Sequence, residues 1–337
     1  MGMLVDGKWI ADDQRFRNSG DGNFIRPSTS FRSYVAADGS SGFAAEPNRY
    51  HLYVALSCPW AHRALLLRAL KGLEDAISIS IVAPWTLENG WSFESYPGAT
   101  GDRANGFRYL YEVYLRAHQS YTGRVTVPVL WDTRTNTIVN NESAEIVRML
   151  NSEFNAFARH PDDDYYPADL RGEIDELNAL IYRAVNHGVY RAGFAGRQDK
   201  YEVAVADLFQ TLDSLEERLS QRRYLCGEQV TEADWRLFPT LIRFDAVYYI
   251  HFKCSVRRLV DYPNLYDYTR ELFQTPNVAA TVNFEHIKHH YYGSHVRINP
   301  SSLVPVGPAP KFDIPHTRAA VSKKSEGISR VGFARAR

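Results

Sequence analysis

Cysteine is scarce in this chain: Cys58, Cys226 and Cys254 are the only three among 337 residues. So few thiols at this length exclude a disulfide scaffold and point to a reducing compartment, the cytoplasm. No apolar run approaches the ~18 residues of a membrane span, and residues 1–6 lack the charged-then-apolar pattern of a secretion signal. Neither sign of charge is in excess, with 39 Lys and Arg against 39 Asp and Glu. That balance gives no support to a nucleic-acid partner. No internal repeat is present either.

What is there suffices for about two domains, since 45% of the residues are hydrophobic and the length exceeds that of one ordinary core. The neutral total hides an asymmetry. Beyond residue 300 there are seven basic residues and two acidic ones, Asp313 and Glu326. With Pro305, Pro308, Pro310 and Pro315 the stretch 301–337 reads as an irregular, basic, solvated tail.

The chemistry centres on Tyr50–Arg63. Residues 49–56 read as a strand, aromatic and β-branched with no breaker. Pro59 suits the first turn of a helix, where its missing N–H is no loss, and Leu66, Leu67, Leu70 and Leu73 continue at helical spacing to the stop at Gly72. Cys58 therefore lies between a strand end and a helix N-terminus, where a thiol is most easily ionised. A Cys of pKa near 8.5 is only about 3% thiolate at pH 7, whereas one tuned to about 6 is roughly 90% ionised. That shift needs about 3.4 kcal/mol and a helix dipole supplies at most about 2, so backbone N–H groups or a cation such as His62 or Arg63 must add the rest. A small buried core residue is the alternative for Cys58. Position 61, where a dithiol redox motif would carry its second Cys, is Ala61. Chemistry at Cys58 would thus stop at a mixed disulfide until an outside thiol attacked it, which points to a monothiol enzyme with a small-thiol partner.

Taken in order, residues 1–45 read as an N-terminal extension laid over the surface. Residues 46–152 form the first domain. Ile77–Val82 alternates as a second strand after the first strand and helix, making a βαβ unit. An insertion at 84–124 follows, with a helical stretch near 106–118; its aromatics Phe107, Tyr109, Tyr111 and Tyr114 are core or wall a site. Residues 124–132 read as a strand containing Pro128, Ile138-Val139 as its short partner, and 141–151 as a helix. From about 165 to 300 only helical spacing remains: Leu170, Ile174, Leu177 and Ile181, then Val203, Leu208, Leu212, Leu215 and Leu219. Thr231-Glu232-Ala233-Asp234 opens another helix with a capping box, and a further helix covers 263–274.

This set, with Ser57–Arg63, Glu88–Trp91, Gly123–Trp131, Asn141–Ile146, Asn186–Ala195 and Tyr291–His295, resembles the glutathionyl-hydroquinone reductases, the Xi class of glutathione transferases. The resemblance spans roughly residues 45–300. It implies an α/β thioredoxin-like N-terminal domain followed by an all-α glutathione-transferase C-terminal domain. The implied activity is glutathione-dependent reduction of glutathionyl-hydroquinones, with glutathione as co-substrate, no metal, and a homodimer. It makes Cys58 the nucleophile and gives the backbone of Val127, before a cis-proline at 128, to the cysteinyl part of glutathione. Glu142 and Ser143 take the γ-glutamyl end, Trp91 and Arg124 flank the ligand, and Tyr190 and Tyr291 stand over the hydroquinone. Tyr292, beside Tyr291, is open to the same role.

Other readings stay open. An omega-like thiol transferase or dehydroascorbate reductase would use the same Cys58 and glutathione site but would not need Tyr190 and Tyr291. A non-catalytic binding protein of the same fold would not need Cys58. His286, His289, His290 and His295 suggest a metal, but no carboxylate or thiolate pattern joins them.

Overall fold

In the computed structural model of the chain, which describes residues 2–11 and 19–321, strands Met3–Val5 (β1) and Lys8–Ile10 (β2) pair across Asp6-Gly7. Both turn residues have left-handed backbone, φ 48° and 73°. That conformation lets a two-residue loop follow the twist of its strands. An arm then runs through a short parallel pair, Val35–Ala36 (β3) and Phe43–Ala44 (β4). The chain divides into two units, Met1–Asp164 with Ala280–Gly307, and Tyr165–Ala279 with Pro308–Arg337.

The first unit is built on Tyr50–Val54 (β5), buried at every position. Helix α1, Pro59–Leu70, returns the chain to Ile77–Ile81 (β6), parallel to β5. The insertion carries a small hairpin, Thr86–Leu87 (β7) with Gly90–Trp91 (β8), and helix α2, Leu110–Ala117. The strand expected over 124–132 is two strands: Gly123–Arg124 (β9), which joins β1, and Val129–Asp132 (β10). Pro128, with no N–H to give a ladder, separates them, and the Val127–Pro128 peptide is cis. Thr137–Asn140 (β11) and helix α3, Ser143–Ser152, complete the unit. The central sheet has the order β11-β10-β5-β6, with β10 antiparallel to both neighbours. This is the thioredoxin-like arrangement.

The second unit is helical: α4 (Arg171–Ile181), a π-turn at Tyr182–Asn186, α5 (Gly188–Gly193), α6 (Gln198–Gln221), α7 (Glu232–Leu241) and α8 (Pro263–Gln274). The capping box is present: Asp234 Oδ2 accepts from the Thr231 N–H at 2.7 Å and from its hydroxyl at 2.9 Å. Within this otherwise helical unit Cys226 lies in a turn beside left-handed Gly227, and Cys254 in irregular backbone beside left-handed Lys253. Helix α9, Phe284–Ser294, belongs to the first unit again.

Residues 301–321 are irregular and mostly exposed, with two buried exceptions, Phe312 and Arg318; Lys323, Lys324, Glu326, Arg330, Arg335 and Arg337 lie outside the described residues. Phe312 is buried against Tyr266 and Phe273. Arg318 is 1% exposed and donates to the carbonyls of Leu219, Arg222 and Arg223 at 2.5–2.7 Å. A guanidinium fork satisfies three carbonyls at the C-terminal end of α6 at once, which holds the tail down.

Candidate active site

Sheet topology gathers the expected residues of the first unit. Strands β5 and β6 are parallel, so Cys58 after β5 and Ala83 after β6 leave the sheet at one edge. Strand β10 is antiparallel to β5, so Val127 enters at that same edge, and Asn140–Ser143 leaves β11 there too. Trp91 is brought to this edge because the Ala83 N–H donates to Ser92 O at 2.8 Å.

Cys58 is the N-cap of α1, with extended backbone (φ −81°, ψ 121°), Pro59 in the first turn and no acidic residue there. Its sulfur is partly exposed and lies 3.6 Å from Val127 O, a contact the thiol makes as donor. A thiolate cannot donate, so ionisation would release that carbonyl to another N–H. His62 is fully buried, with Nε2 2.7 Å from Thr281 Oγ1. Arg63 packs over Trp60 at 4.6 Å and reaches Ser143 Oγ at 3.5 Å. The other two thiols are buried, and burial pushes Cys226 up to about 11 and Cys254 higher still.

Glu142 caps α3: its Oε1 accepts from Ala144 N at 3.1 Å, and its Oε2 meets Thr29 Oγ1 at 3.4 Å. Tyr114, fully buried, ties this cap to the Val127 segment. Its hydroxyl donates to Thr126 O at 2.8 Å and accepts from Asn141 Nδ2 at 3.1 Å. Of the four insertion aromatics, Tyr114 is therefore core, while Tyr111 stacks on Trp9 at 5.0 Å. Arg124 sits on β9, opposite Met3.

Trp91 lies flat on His290 at 4.8 Å, and Tyr291 meets His290 edge-on at 5.1 Å. Tyr291 is 1% exposed; Tyr292 is buried too, which pushes its phenol up to about 12. Tyr190 belongs to the second unit, on α5, packed with Phe252 at 5.3 Å and Tyr248 at 6.1 Å. Among the described residues no group of three or more His, Cys, Asp and Glu could hold a metal ion, and no helix is long and apolar enough to cross a membrane.

The arm, expected only as an extension laid over the surface, makes contacts at the site that the sequence did not announce. Arg26 packs over Trp60 at 4.1 Å, and Phe31 stacks on Tyr121 at 5.5 Å. The Phe31 N–H donates to Asn141 Oδ1 at 3.2 Å, and Arg32 pairs with Glu145, holding that carboxyl below its usual range. Its only signal was the aromatic and basic content of residues 24–34, which has no period.

The Glutathione S-transferase N-terminal domain family matches residues 57–153 and the Glutathione S-transferase C-terminal domain family residues 192–271. The glutathionyl-hydroquinone reductase YqjG of Escherichia coli is 53% identical over 325 residues, covering 94% of this chain and 98% of that one. Its glutathione-bound structure superposes with a TM-score of 0.87 at 51% identity, covering 94% and 99%. The glutathionyl-hydroquinone reductase PcpF of Sphingobium chlorophenolicum is 52% identical, covering 92% and 97%. A Xi-class transferase from Natrialba magadii superposes with a TM-score of 0.91 at 48% identity, covering 95% and 98%.

Proposed function

This chain belongs to the glutathionyl-hydroquinone reductases, the Xi class of glutathione transferases, and we propose that it reduces its conjugates through a mixed disulfide between Cys58 and glutathione. The observation that carries the reading is Cys58 itself. It is the one partly exposed thiol of three, at a helix start with its sulfur 3.6 Å from Val127 O and on the same sheet edge as Glu142 and Ser143. The Cys58 thiolate attacks the sulfur of the conjugate. The sulfur–aryl bond breaks, its electron pair passes to the aryl carbon, and that carbon takes a proton to give the hydroquinone. Cys58 is left joined to glutathione. A second glutathione thiolate attacks the glutathione sulfur of that disulfide, oxidised glutathione leaves, and Cys58 returns as thiolate.

Val127 O accepts the cysteinyl N–H of glutathione in place of the Cys58 thiol. The carboxylate of Glu142 takes the γ-glutamyl ammonium, and Ser143 with the N–H groups opening α3 takes the carboxylate. Trp91 and Arg124 flank the tripeptide. Tyr291 donates to the hydroquinone oxygen, where charge grows as the ring takes up the electron pair; the family resemblance adds Tyr190 to this role. Three cysteines, none of them in a disulfide, support a reducing compartment, taken as the cytoplasm. The homodimer rests on the resemblance.

The tyrosines separate this reading from an omega-like thiol transferase. One hydrogen bond lost to developing charge costs ~10²–10³ in rate. Tyr190→Phe and Tyr291→Phe should therefore slow reduction of a glutathionyl-hydroquinone by up to that factor. Reduction of an aliphatic glutathione disulfide should suffer far less, because its leaving group is already a good thiolate. Measuring kcat/KM on both substrates checks this, and equal losses on both would favour the omega-like reading.

A further inference from the structure

Helix α9 carries His290 and Tyr291 side by side and clasps the insertion. The Thr86 N–H donates to Ser294 Oγ at 2.9 Å, and His286 Nε2 lies 2.7 Å from Pro97 O. At Gly293 the helix comes so close that a Cβ would stand 2.9 Å from the Trp85 ring, so the sequence needs glycine there.

Within this clasp His290 is 6% exposed, and its Nδ1 lies 2.8 Å from the carbonyl oxygen of Pro84. A carbonyl only accepts, so Nδ1 holds the proton and the ring plane is set by a backbone atom of the insertion. That plane lies 17° from Trp91, with centroids 4.8 Å apart. The ring also meets Tyr291 at 79° and His295 at 71°, and His295 meets Tyr291 edge-on at 5.5 Å. Parallel and edge-on contacts at these spacings are the favoured geometries of aromatic pairs. One imidazole thus touches both a residue assigned above to the glutathione side and the phenol assigned to the hydroquinone side.

We propose that His290 is a positioning residue, which fixes Trp91 and Tyr291 relative to one another so that the phenol meets the hydroquinone oxygen when the conjugate's glutathionyl half is seated. The inference rests on the proposed function and deepens it. Misplacing a reacting group by about 1 Å costs up to ~10²-fold in rate. Loosening His290 therefore acts on the aromatic substrate through Tyr291, whereas a merely structural histidine would act on every substrate.

Two substitutions separate its contacts. His290→Phe keeps a flat ring on Trp91 but loses the bond to Pro84 O; His290→Asn can still donate to Pro84 O but has no ring. Each is made alone and with Tyr291→Phe. Rates are measured on a glutathionyl-hydroquinone and on the mixed disulfide of glutathione and 2-mercaptoethanol, which also reports folding. The expected result is a ~10–100-fold fall in kcat on the conjugate for each single variant, with a much smaller fall on the disulfide. In the Tyr291→Phe background the further loss should shrink to about twofold, because two residues acting through one contact are not additive. Full losses that add to Tyr291→Phe, or equal losses on both substrates, overturn the positioning role. So do wild-type rates in both His290 variants when Tyr291→Phe alone is impaired. If Tyr291→Phe itself retains wild-type rates on the conjugate, the inference falls and the role given to Tyr291 falls with it.

Discussion

Cys226 and Cys254 show what burial does to a thiol here, since both are held well above the usual range, whereas Cys58 sits partly exposed at the start of a helix. Of the helpers the sequence offered for ionising Cys58, His62 is engaged with Thr281 and Arg63 with Trp60 and Ser143. Glu142 gives the sharpest single-residue test of the binding reading. Its carboxylate already accepts from Ala144 N, a bond that glutamine's amide oxygen can still accept. Glu142→Gln therefore keeps the helix start while removing the charge offered to an ammonium. A charge-assisted hydrogen bond contributes about 1.5–3 kcal/mol, so glutathione affinity by calorimetry should fall ~10–100-fold. Unchanged affinity would place the γ-glutamyl group elsewhere.

Among the elements, the most exposed to a single change is the C-terminal end of α6, whose flanking carbonyls are capped by Arg318 from 95–99 positions away. Arg318→Ala takes the donors from three carbonyls at once, that of buried Leu219 having least access to water, and should cost about 2 kcal/mol, read as a lower urea midpoint; an unmoved midpoint would contradict the cap. This contact also marks where sequence reading stopped. Pro59 after Cys58, the spacing of the α6 leucines and the Thr231–Asp234 box are local signals, and each element they announced is present. Helix α9 gave none of that kind: its histidines invited a metal reading that the sequence itself set aside, and the partners of two of them, Pro97 O for His286 and Pro84 O for His290, are backbone atoms about 200 positions away. A proline-rich basic tail likewise gives no hint that one arginine in it meets a helix end. Cys58 was legible from its own neighbours, while Glu142, Ser143, Trp91 and the tyrosines were legible only through family resemblance.

At the scale of the whole molecule, acid should destabilise both units. His51, bridging Ser78 Oγ and Ser80 Oγ at 2.7–2.8 Å, and His251 are buried, and burial lowers each to about 4. Unfolded, each titrates near 6.5, so between pH 6.5 and 4 the unfolded chain binds more protons. The stability that depends on these neutral rings is complete above pH 6.5 and is lost as pH falls toward 4, by roughly 3 kcal/mol per histidine. Urea midpoints at pH 7.5, 6 and 5 should fall in that order; a midpoint steady to pH 5 would mean the rings are not held neutral. Turnover is also a property of the whole chain, and a single one shows whether it passes through Cys58. The enzyme, free of glutathione, is mixed with one equivalent of a glutathionyl-hydroquinone, quenched in acid, and its mass and the released aromatic are measured. The expected result is one equivalent of free hydroquinone and one glutathione on Cys58, removed by added glutathione and absent in Cys58→Ser. Hydroquinone release without that adduct, or equal release by Cys58→Ser, would contradict it.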